Sequence, residues 1–296
     1  MRERQDQDEA LRLLIAQRRL YRRAKRWLVL RWFGMVVIGL GAPLVSVARP
    51  ELAVLAGAVA GVWIFLGRTA LAAAQTATGA KAAAVQERFD FFVYAMPESI
   101  DRSALPSLEE IAKIAGPDTE LQDVAQRERL LEWYPIEDSD PGLVAVAICQ
   151  RANASYADRL LRTTTIVWTS LTVLWFAVLV AVSVYASLSL SQFMLGVFLP
   201  ILPAFLDIAQ YVVGIRRAAW DRKDLAGSIE ERLEGTGNAI DGQDLMVWQE
   251  RLYALRRSTP EVPDFVYNLR RKANELAMHS VARQLAERAR RSGRRR

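Results

Sequence analysis

Asp207 is the side chain in this sequence with the clearest capacity for chemistry. It ends an uncharged run that extends from Thr163 to Leu206, and Pro200 and Pro203 precede it. An aspartate inside a bilayer costs at least about 2.5–3.5 kcal/mol, so it must face protein or water. Prolines add a second cost, because they free backbone carbonyls that need other partners.

The small, polar and helix-perturbing residues around Asp207 predict one face of a helix. Their spacing of 4, 4, 3, 4, 3 and 4 residues keeps them on the same side. Counted from Arg216 by helical rise, Asp207 is expected ~13 Å below the interface, near mid-bilayer. We interpret this face as the lining of a wet path or gate. Its members are Gln192, Gly196, Pro200, Pro203, Asp207, Gln210 and Gly214.

A packing role for Asp207 is the alternative interpretation. A protonated Asp207 could hydrogen-bond a neighbouring span, with the glycines and prolines allowing close approach. Thr165, Thr169 and Thr172 share a face of the preceding span and are the candidate partners. Threonines at such positions more often bond their own helix backbone. Both interpretations stand at this point.

Four membrane-spanning helices in two hairpins account for the apolar runs. Residues 32–48 and 52–67 are uncharged, and one crossing needs roughly 20 apolar residues. The run 163–206 is long enough for two crossings, with a serine-rich turn at 187–192. The predicted fold class is therefore an all-α integral membrane protein, with a helical cytoplasmic portion outside the spans.

Basic residues flank these spans on one side only. They crowd positions 18–26 and 216–223 and include Arg159 and Arg162, whereas the opposite turns offer only Arg49. The positive-inside rule therefore predicts that both termini are cytoplasmic. The predicted segments are a cytoplasmic amphipathic helix (1–27), a transmembrane hairpin (28–73), a cytoplasmic helical domain (74–162), a second hairpin (163–215), C-terminal cytoplasmic helices (216–285) and a basic tail (286–296).

Several helix boundaries follow from local signals. Helix 8–27 is expected to continue into the first span, and Ser107 with Glu110 forms a capping pair. Asp140 followed by Pro141 predicts the start of a helix that runs into the third span. Further helices are predicted over 119–132 and from about residue 265 onward.

The composition argues against an enzyme. The single cysteine, Cys149, excludes an internal disulfide and is expected to be a small buried hydrophobe, while the single histidine, His279, is expected on the surface. No cofactor and no metal site is predicted. Residues 74–162 hold fifteen acidic against nine basic residues, so a polyanionic ligand needs a local arginine pocket.

Six sequence segments occur in an order that is typical of a known family. Together with two pairs of spans, they resemble the SMODS-associating four-transmembrane effectors, and the resemblance covers most of the chain. The segments are AQRRLYRRAKRW (16–27), VQERFDFFVYAMP (85–97), LLEWYP (130–135), AVAICQRANASYADRLLR (145–162), LPILPAF (199–205) and YALRRSTPEVPDFVYNLRR (253–271).

The resemblance implies a pore-forming effector of cyclic-oligonucleotide-based antiphage signalling (CBASS) in bacteria. A cognate nucleotidyltransferase would make a cyclic oligonucleotide, and the effector would assemble or open in the inner membrane and cause abortive infection. The implied partners are the lipid bilayer, the cyclic oligonucleotide and further copies of this chain, and no nucleic acid polymer is expected.

The matched polar positions are the candidate ligand contacts, because arginine pairs with phosphate and aromatic rings stack on bases. They are Trp133, Tyr134, Gln150, Arg151, Asn153, Arg256 and Arg257. In the alternative interpretation, residues 133–135 form a corner of the core and residues 150–153 form a polar network between helices.

Two other function classes compete with the pore. A non-conducting membrane-anchored sensor or scaffold would bind a ligand without changing permeability. A secondary transporter is disfavoured, because four spans leave little room and Asp207 is the single acidic residue in them.

Overall fold

The chain is helical wherever its structure is described. The computed structural model describes residues 1–97, 102–135, 142–235 and 240–293, and these ranges contain no strand. The predicted all-α class is therefore confirmed for them. The helices are α1 (Arg2–Gln5), α2 (Asp8–Ala48), α3 (Ala53–Leu66), α4 (Ala72–Tyr94), α5 (Leu108–Ala115), α6 (Leu121–Glu128), α7 (Gly142–Tyr185), α8 (Leu190–Gln192), α9 (Leu199–Glu234), α10 (Gly242–Ser258) and α11 (Asp264–Gly293).

Long helices carry the chain from polar into apolar sequence without a break. Helix α2 contains both the predicted amphipathic helix and the first apolar run, and its Leu14, Leu20 and Ala24 are buried. A π-helical turn at Gly67–Leu71 joins α3 to α4. Helix α7 likewise continues into the third apolar run, as the sequence predicts.

Two of the described helices are long and apolar enough to cross a membrane. They are Val54–Tyr94 and Gly142–Tyr185, and the bent pair Leu190–Phe198 and Ile201–Glu234 makes a third if it is one span. Large apolar side chains lie exposed along these helices, as contact with lipid requires. The molecule is thus a membrane protein, and the count of four spans stays a prediction.

Helices α7 and α9 pack against each other in opposite directions. The rings of Trp168 and Tyr211 lie 5.9 Å apart between centroids, and those of Trp175 and Phe205 lie 4.6 Å apart. The residue numbers rise along α7 while they fall along α9, so the two helices are antiparallel.

Helix α2 packs antiparallel to α3 and α4 in the same way. The Tyr21 hydroxyl donates to Gln86 Oε1 at 3.0 Å. Farther along α2, a Cβ built on Gly34 would lie only 1.9 Å from the Trp63 ring. Glycine is therefore the residue that permits this close approach of α2 and α3.

The link between α7 and α9 is bent. Ser187 adopts a φ of 53° after the end of α7, and Ser189 with Gln192 forms a capping box on α8. A π-helical turn follows at Phe193–Phe198, and the axis bends by 61° before α9 continues. The predicted serine-rich turn is present, but the fourth apolar segment is not one straight helix.

The polar part of the molecule is a helical bundle with its own apolar core. Phe89, Leu14, Leu225 and Leu252, from four different helices, meet in it. Ser107 caps α5 by accepting the Glu110 backbone N–H at 3.2 Å, as predicted.

Three predicted boundaries differ from the structure or lie outside its described part. Helix α6 ends at Glu128, short of the predicted 119–132, because Arg129 adopts a left-handed φ of 55°. Helix α11 runs through Gly293, into the predicted basic tail. Asp140 and Pro141 lie outside the described residues.

Candidate functional site

A cleft opens between the helices of the polar part, and we call it the polar cleft. It encloses about 630 Å³, within the usual ~300–1,000 Å³ of ligand sites. Helices α2, α4, α7, α9, α10 and α11 and the segments after α6 and α10 form its walls. Its polar and aromatic lining residues are Gln17, Arg18, Tyr21, Arg22, Lys25, Gln86, Arg129, Glu132, Trp133, Tyr134, Asn153, Tyr156, Arg222, Arg256, Thr259, Glu261, Asp264, Tyr267, Asn268 and His279.

A buried carboxylate, Asp90, organises the wall of this cleft. Its Oδ1 accepts the Tyr134 hydroxyl at 2.5 Å, and its Oδ2 accepts Gln249 Nε2 at 2.9 Å and Arg256 Nη1 at 2.6 Å. Burial, helped by Asp90, raises the pKa of Tyr134. Burial alone would lower the pKa of Arg256, but Asp90 together with Tyr134 and Tyr21 outweighs it, and the pKa is raised. The tyrosine therefore stays a donor and the arginine stays a cation.

Two more predicted ligand contacts extend this network. Asn153 Nδ2 donates to the Tyr134 hydroxyl at 3.2 Å. Gln150 Nε2 donates to Gln249 Oε1 and to a backbone carbonyl of α10, both at 3.0 Å. The structure thus brings Tyr134, Gln150, Asn153 and Arg256 together. Gln150 is fully buried behind the cleft, in the kind of interhelical polar network that was the alternative interpretation.

The other predicted ligand contacts are scattered. Arg151 Nη2 donates to Glu230 on α9 at 2.8 Å. Trp133 lines the polar cleft and packs against the main apolar core. Arg257 is exposed and lies in a different cavity. Of the seven predicted residues, Trp133, Tyr134, Asn153 and Arg256 line the cleft.

Arg222 is the cleft residue that sequence reasoning missed. It is 6% exposed, and its guanidinium donates to Thr259 Oγ1 at 2.6 Å and to the Leu255 carbonyl at 3.2 Å. Burial lowers its pKa to about 10, and Arg256 adds to the lowering. Among the described residues, no carboxylate forms a direct ion pair with it. In the sequence, Arg222 has the pattern of a charge that follows a span.

Arg256 also retains unused hydrogen-bonding capacity. Its Nη2 is buried and has no hydrogen-bond partner, although Nη1 pairs with Asp90. Buried polar atoms without partners are uncommon, and a water, an ion or a ligand can supply the missing partner. Arg222 and Arg256 thus place two buried guanidinium cations on the cleft wall against one carboxylate, Asp90, and we call this net-positive pair the buried dication centre.

Aromatic rings and outer cations surround this centre. The rings of Tyr156 and Tyr267 lie 6.4 Å apart, and Lys25 Nζ lies 5.7 Å from the Tyr267 centroid. At the mouth, Arg18 and Arg22 share Glu128. Such rings offer flat surfaces for bases, while arginines suit phosphates. His279 is exposed at this mouth, as predicted.

Asp207 is not alone in the membrane region, because Arg68 pairs with it. Asp207 Oδ1 accepts Arg68 Nε at 2.9 Å and Nη2 at 2.6 Å. The carboxylate is 5% exposed, while the arginine is 46% exposed. Arg68 directly follows the apolar run 52–67. Asp207 thus lies level with the charged end of that run, nearer to the interface than the predicted mid-bilayer depth.

The bend divides the predicted pore-lining face. Gln192 and Gly196 precede it, whereas Asp207, Gln210 and Gly214 follow it on α9. Gln192 and Gln210 are exposed, and Gly214 faces a proline ring 3.4 Å from its ideal Cβ position. One continuous stripe is therefore not formed within the chain.

The remaining residues of that prediction have local roles. Pro203 lies inside α9 and is partly buried, whereas the side chain of Pro200 lies outside the described part. Thr165 and Thr172 donate to backbone carbonyls one turn earlier, at 3.0 and 2.7 Å, which is the ordinary threonine bonding named above.

A second cavity lies beside the Arg68–Asp207 pair, and we call it the interfacial cavity. It encloses about 520 Å³. Arg256, Thr259, Pro260 and Glu261 line both this cavity and the polar cleft. The segment 256–261 is therefore a shared wall between the two spaces. The lining residues are Leu28, Arg31, Arg68, Ala72, Gln75, Thr76, Gly79, Asp207, Gln210, Tyr211, Arg256, Arg257, Ser258, Thr259, Pro260 and Glu261.

The shared wall contains a carboxyl group with an altered acidity. Burial raises the pKa of Glu261 to about 7, although Lys25 and Arg222 oppose the shift. Its backbone carbonyl accepts the Tyr211 hydroxyl at 2.7 Å, which ties the wall to α9. Within the described ranges, no group of three metal-ligating side chains lies close enough to hold a metal ion.

Long apolar helices joined to a helical bundle with a basic, aromatic cleft define a helical membrane protein with a ligand-sized cleft outside its apolar helices. The chain belongs to the SMODS-associating 4TM effector domain family, whose family model matches residues 1–285. No match was found among curated proteins or among solved structures.

Proposed function

We propose that the protein is a bacterial antiphage effector of the inner membrane that opens a pore when a cyclic oligonucleotide binds its polar cleft. The cleft is cytoplasmic in this proposal, with four spans in two hairpins and both termini on the same side. Loss of membrane integrity then ends the infection together with the cell. The family membership supports the signalling context.

The observation that carries the proposal is the buried dication centre in the cleft. Arg222 has no carboxylate partner in the described part of the chain, and Arg256 keeps a buried Nη2 without a partner. Asp90 compensates one of these two buried cations, so the pair keeps a net positive charge, which a bound phosphate balances. The adjacent tyrosines and Trp133 supply stacking surfaces for bases.

The shared wall supports a route from the cleft to the membrane. Arg222 holds Thr259, and Tyr211 on α9 holds the Glu261 carbonyl. A phosphate that draws Arg222 into the cleft therefore moves Thr259 and, with it, segment 256–261. That segment borders the cavity containing Asp207 and Gln210. Ligand binding and the membrane ion pair are in this way mechanically connected.

Exposed polar residues on the apolar helices support assembly of several copies. Gln192 and Gln210 are exposed in the single chain. Polar side chains at such positions gain by contact with another helix or with water rather than lipid. We propose that copies assemble through this surface and that the Asp207 face then lines the path.

The test is leakage of a trapped dye from liposomes containing the full chain, with a panel of cyclic oligonucleotides. Binding is measured separately by calorimetry on the detergent-solubilised protein. Arg222→Gln is expected to abolish both binding and leakage, while Arg217→Gln, exposed on the same helix, leaves both unchanged. Arg222→Lys keeps the charge and is expected to retain part of the binding. Its thermal midpoint, compared with that of Arg222→Gln, shows whether a folding defect explains the loss of binding.

The outcomes separate the competing functions. Binding without leakage in a folded preparation means that the protein is a membrane-anchored sensor or scaffold and overturns the pore. Neither binding nor leakage with any member of the panel overturns the ligand assignment. Equal effects of Arg222→Gln and Arg217→Gln show that general charge attraction, not the buried centre, attracts the oligonucleotide.

A further inference from the structure

The interfacial cavity lies where the apolar helices meet the polar part. Arg68 directly follows the apolar run 52–67, and Arg31 directly precedes the run 32–48. Both arginines line the cavity. Because each marks the charged end of an apolar segment, the cavity is level with the headgroups of one leaflet.

The charges lining this cavity are unbalanced toward the positive. Arg31, Arg68 and Arg257 face two carboxylates, Asp207 and Glu261. The fourth arginine of the cavity, Arg256, is already compensated by Asp90. Burial raises the pKa of Glu261 to about 7, so this carboxyl carries only part of its charge near neutral pH.

Two of the three arginines have no carboxylate partner. Within the described ranges, neither Arg31 nor Arg257 forms an ion pair, and Arg31 Nε is buried without a hydrogen-bond partner. That nitrogen is one of the few side-chain atoms in this state. A cavity with these properties suits an anion that reaches it from the headgroup level.

We infer that the interfacial cavity binds the phosphate of an anionic phospholipid from the adjacent leaflet. Arg31 and Arg257 pair with the phosphate, and Gln75 and Thr76 offer hydrogen bonds to the headgroup. Exposed Phe33, Phe65 and Leu206 on the membrane side of the same helices contact the acyl chains. Basic cavities between membrane helices are a known way to hold such lipids.

A lipid favours this site over a soluble phosphate because only a lipid satisfies both its parts. The cavity supplies the cations, while the helices below it supply the apolar surface. A phosphate bound there also competes with Asp207 for Arg68. The inference depends on the membrane location and not on the identity of the ligand in the polar cleft.

The test is native mass spectrometry of the full chain extracted from bilayers of phosphatidylglycerol and phosphatidylcholine. The protein is expected to retain phosphatidylglycerol selectively. Arg31→Gln with Arg257→Gln is expected to reduce that retention roughly thirtyfold, from ~1 kcal/mol for each basic residue. The control pair Arg216→Gln with Arg217→Gln, exposed basic residues outside the cavity, leaves it unchanged. Arg31→Lys with Arg257→Lys keeps most of it.

Each contrary result overturns the lipid assignment in its own way. Equal losses in the test and control pairs mean diffuse attraction to the surface. Full retention by the glutamine pair means that the cavity holds no lipid. Displacement by millimolar inorganic phosphate identifies a general phosphate site, and displacement by a cyclic oligonucleotide identifies the cavity as a nucleotide site. If the glutamine double variant is unfolded, as judged by its thermal midpoint, the lysine double variant is used instead. Loss of phosphatidylglycerol by a folded lysine double variant then overturns the assignment.

Discussion

Arg256 and Asp90 form an ion pair sealed inside the polar part of the molecule. Nη1 lies 2.6 Å from Oδ2, and the two side chains are 6% and 0% exposed. They join α10 to α4, and Arg256 also faces the polar cleft. The cation that we propose for the ligand is therefore held in position by a carboxylate that the ligand never touches.

Asp90→Ala is expected to destabilise the protein by ~3–5 kcal/mol, because it leaves Arg256 buried without a counter-charge. The thermal midpoint in detergent, followed by tryptophan fluorescence, measures this. Asp224→Ala is the control, since its pair with Arg251 is exposed at 76% and 43%, and such pairs are worth at most ~1 kcal/mol. Equal midpoints for the two variants would show that the Asp90 pair is not a structural element.

Gly34→Ala is expected to separate α2 from α3. A Cβ at this position meets the Trp63 ring at 1.9 Å, and overpacking of this kind costs ~1–3 kcal/mol or more. Gly41→Ala is the matched control in the same apolar run, because nothing lies within 4 Å of its Cβ position. The thermal midpoint should fall for Gly34→Ala alone. An undisturbed Gly34→Ala protein contradicts the described contact between these helices.

Because the pKa of Glu261 is raised in the folded state, the free energy of unfolding is expected to fall as pH rises. Burial raises its pKa from 4.5 to about 7, with Lys25 and Arg222 lowering it and Asp264 raising it further. Between these two values the folded state holds the proton more tightly than the unfolded state does. The stabilising proton is therefore present at pH 5 and lost by pH 8.

Glu261→Gln removes this dependence. The thermal midpoint of the wild type is expected to fall relative to that of Glu261→Gln as pH rises from 5 to 8, and to change little above 8. Glu231→Gln, exposed on α9, should keep the wild-type profile. Parallel profiles for the wild type and Glu261→Gln would show that this carboxyl does not titrate in that range.

Much of the helical framework could be predicted, because it depends on local signals. The amphipathic period of residues 8–27 and the Ser107 cap act within a few residues, and both are present in the structure. The left-handed Arg129 that ends α6 has no comparable local signal, and Pro200 and Pro203 indicate a perturbed helix without specifying the π-helical turn at 193–198. Helical periodicity therefore predicts a straight face where the chain bends.

The site could be predicted only in part, because its geometry comes from distant pairs. Asp207 was identifiable because a carboxylate in an apolar run is energetically costly. Its partner Arg68, however, is 139 positions away in the sequence. In the sequence, Arg222 looks like one of the basic residues that follow a membrane span on its cytoplasmic side. Only the three-dimensional structure shows that it is buried near Arg256. Composition indicates which residues need partners, whereas tertiary contacts determine which partners they receive.

In the proposed pore, the Arg68–Asp207 pair is expected to keep the membrane helices in a closed arrangement until the ligand binds. Arg68→Gln leaves the nearly buried Asp207 without a counter-charge, and Asp207→Asn removes the anion that fixes Arg68. Since Arg68 is 46% exposed, solvent screening limits the cost to ~1–3 kcal/mol. Both variants should lower the thermal midpoint and raise dye leakage in the absence of any ligand.

The exchanged pair Arg68→Asp with Asp207→Arg is the decisive variant, because it restores the attraction with the charges reversed. It should return the dye leakage and the thermal midpoint toward wild-type values. Arg49→Gln is the control and should change neither, because Arg49 and its partner Glu51 are 73% and 62% exposed. Additive damage in the exchanged protein would mean that position, not pairing, matters at these sites. If liposomes containing either single variant do not leak without ligand, the ion pair does not keep the pore closed.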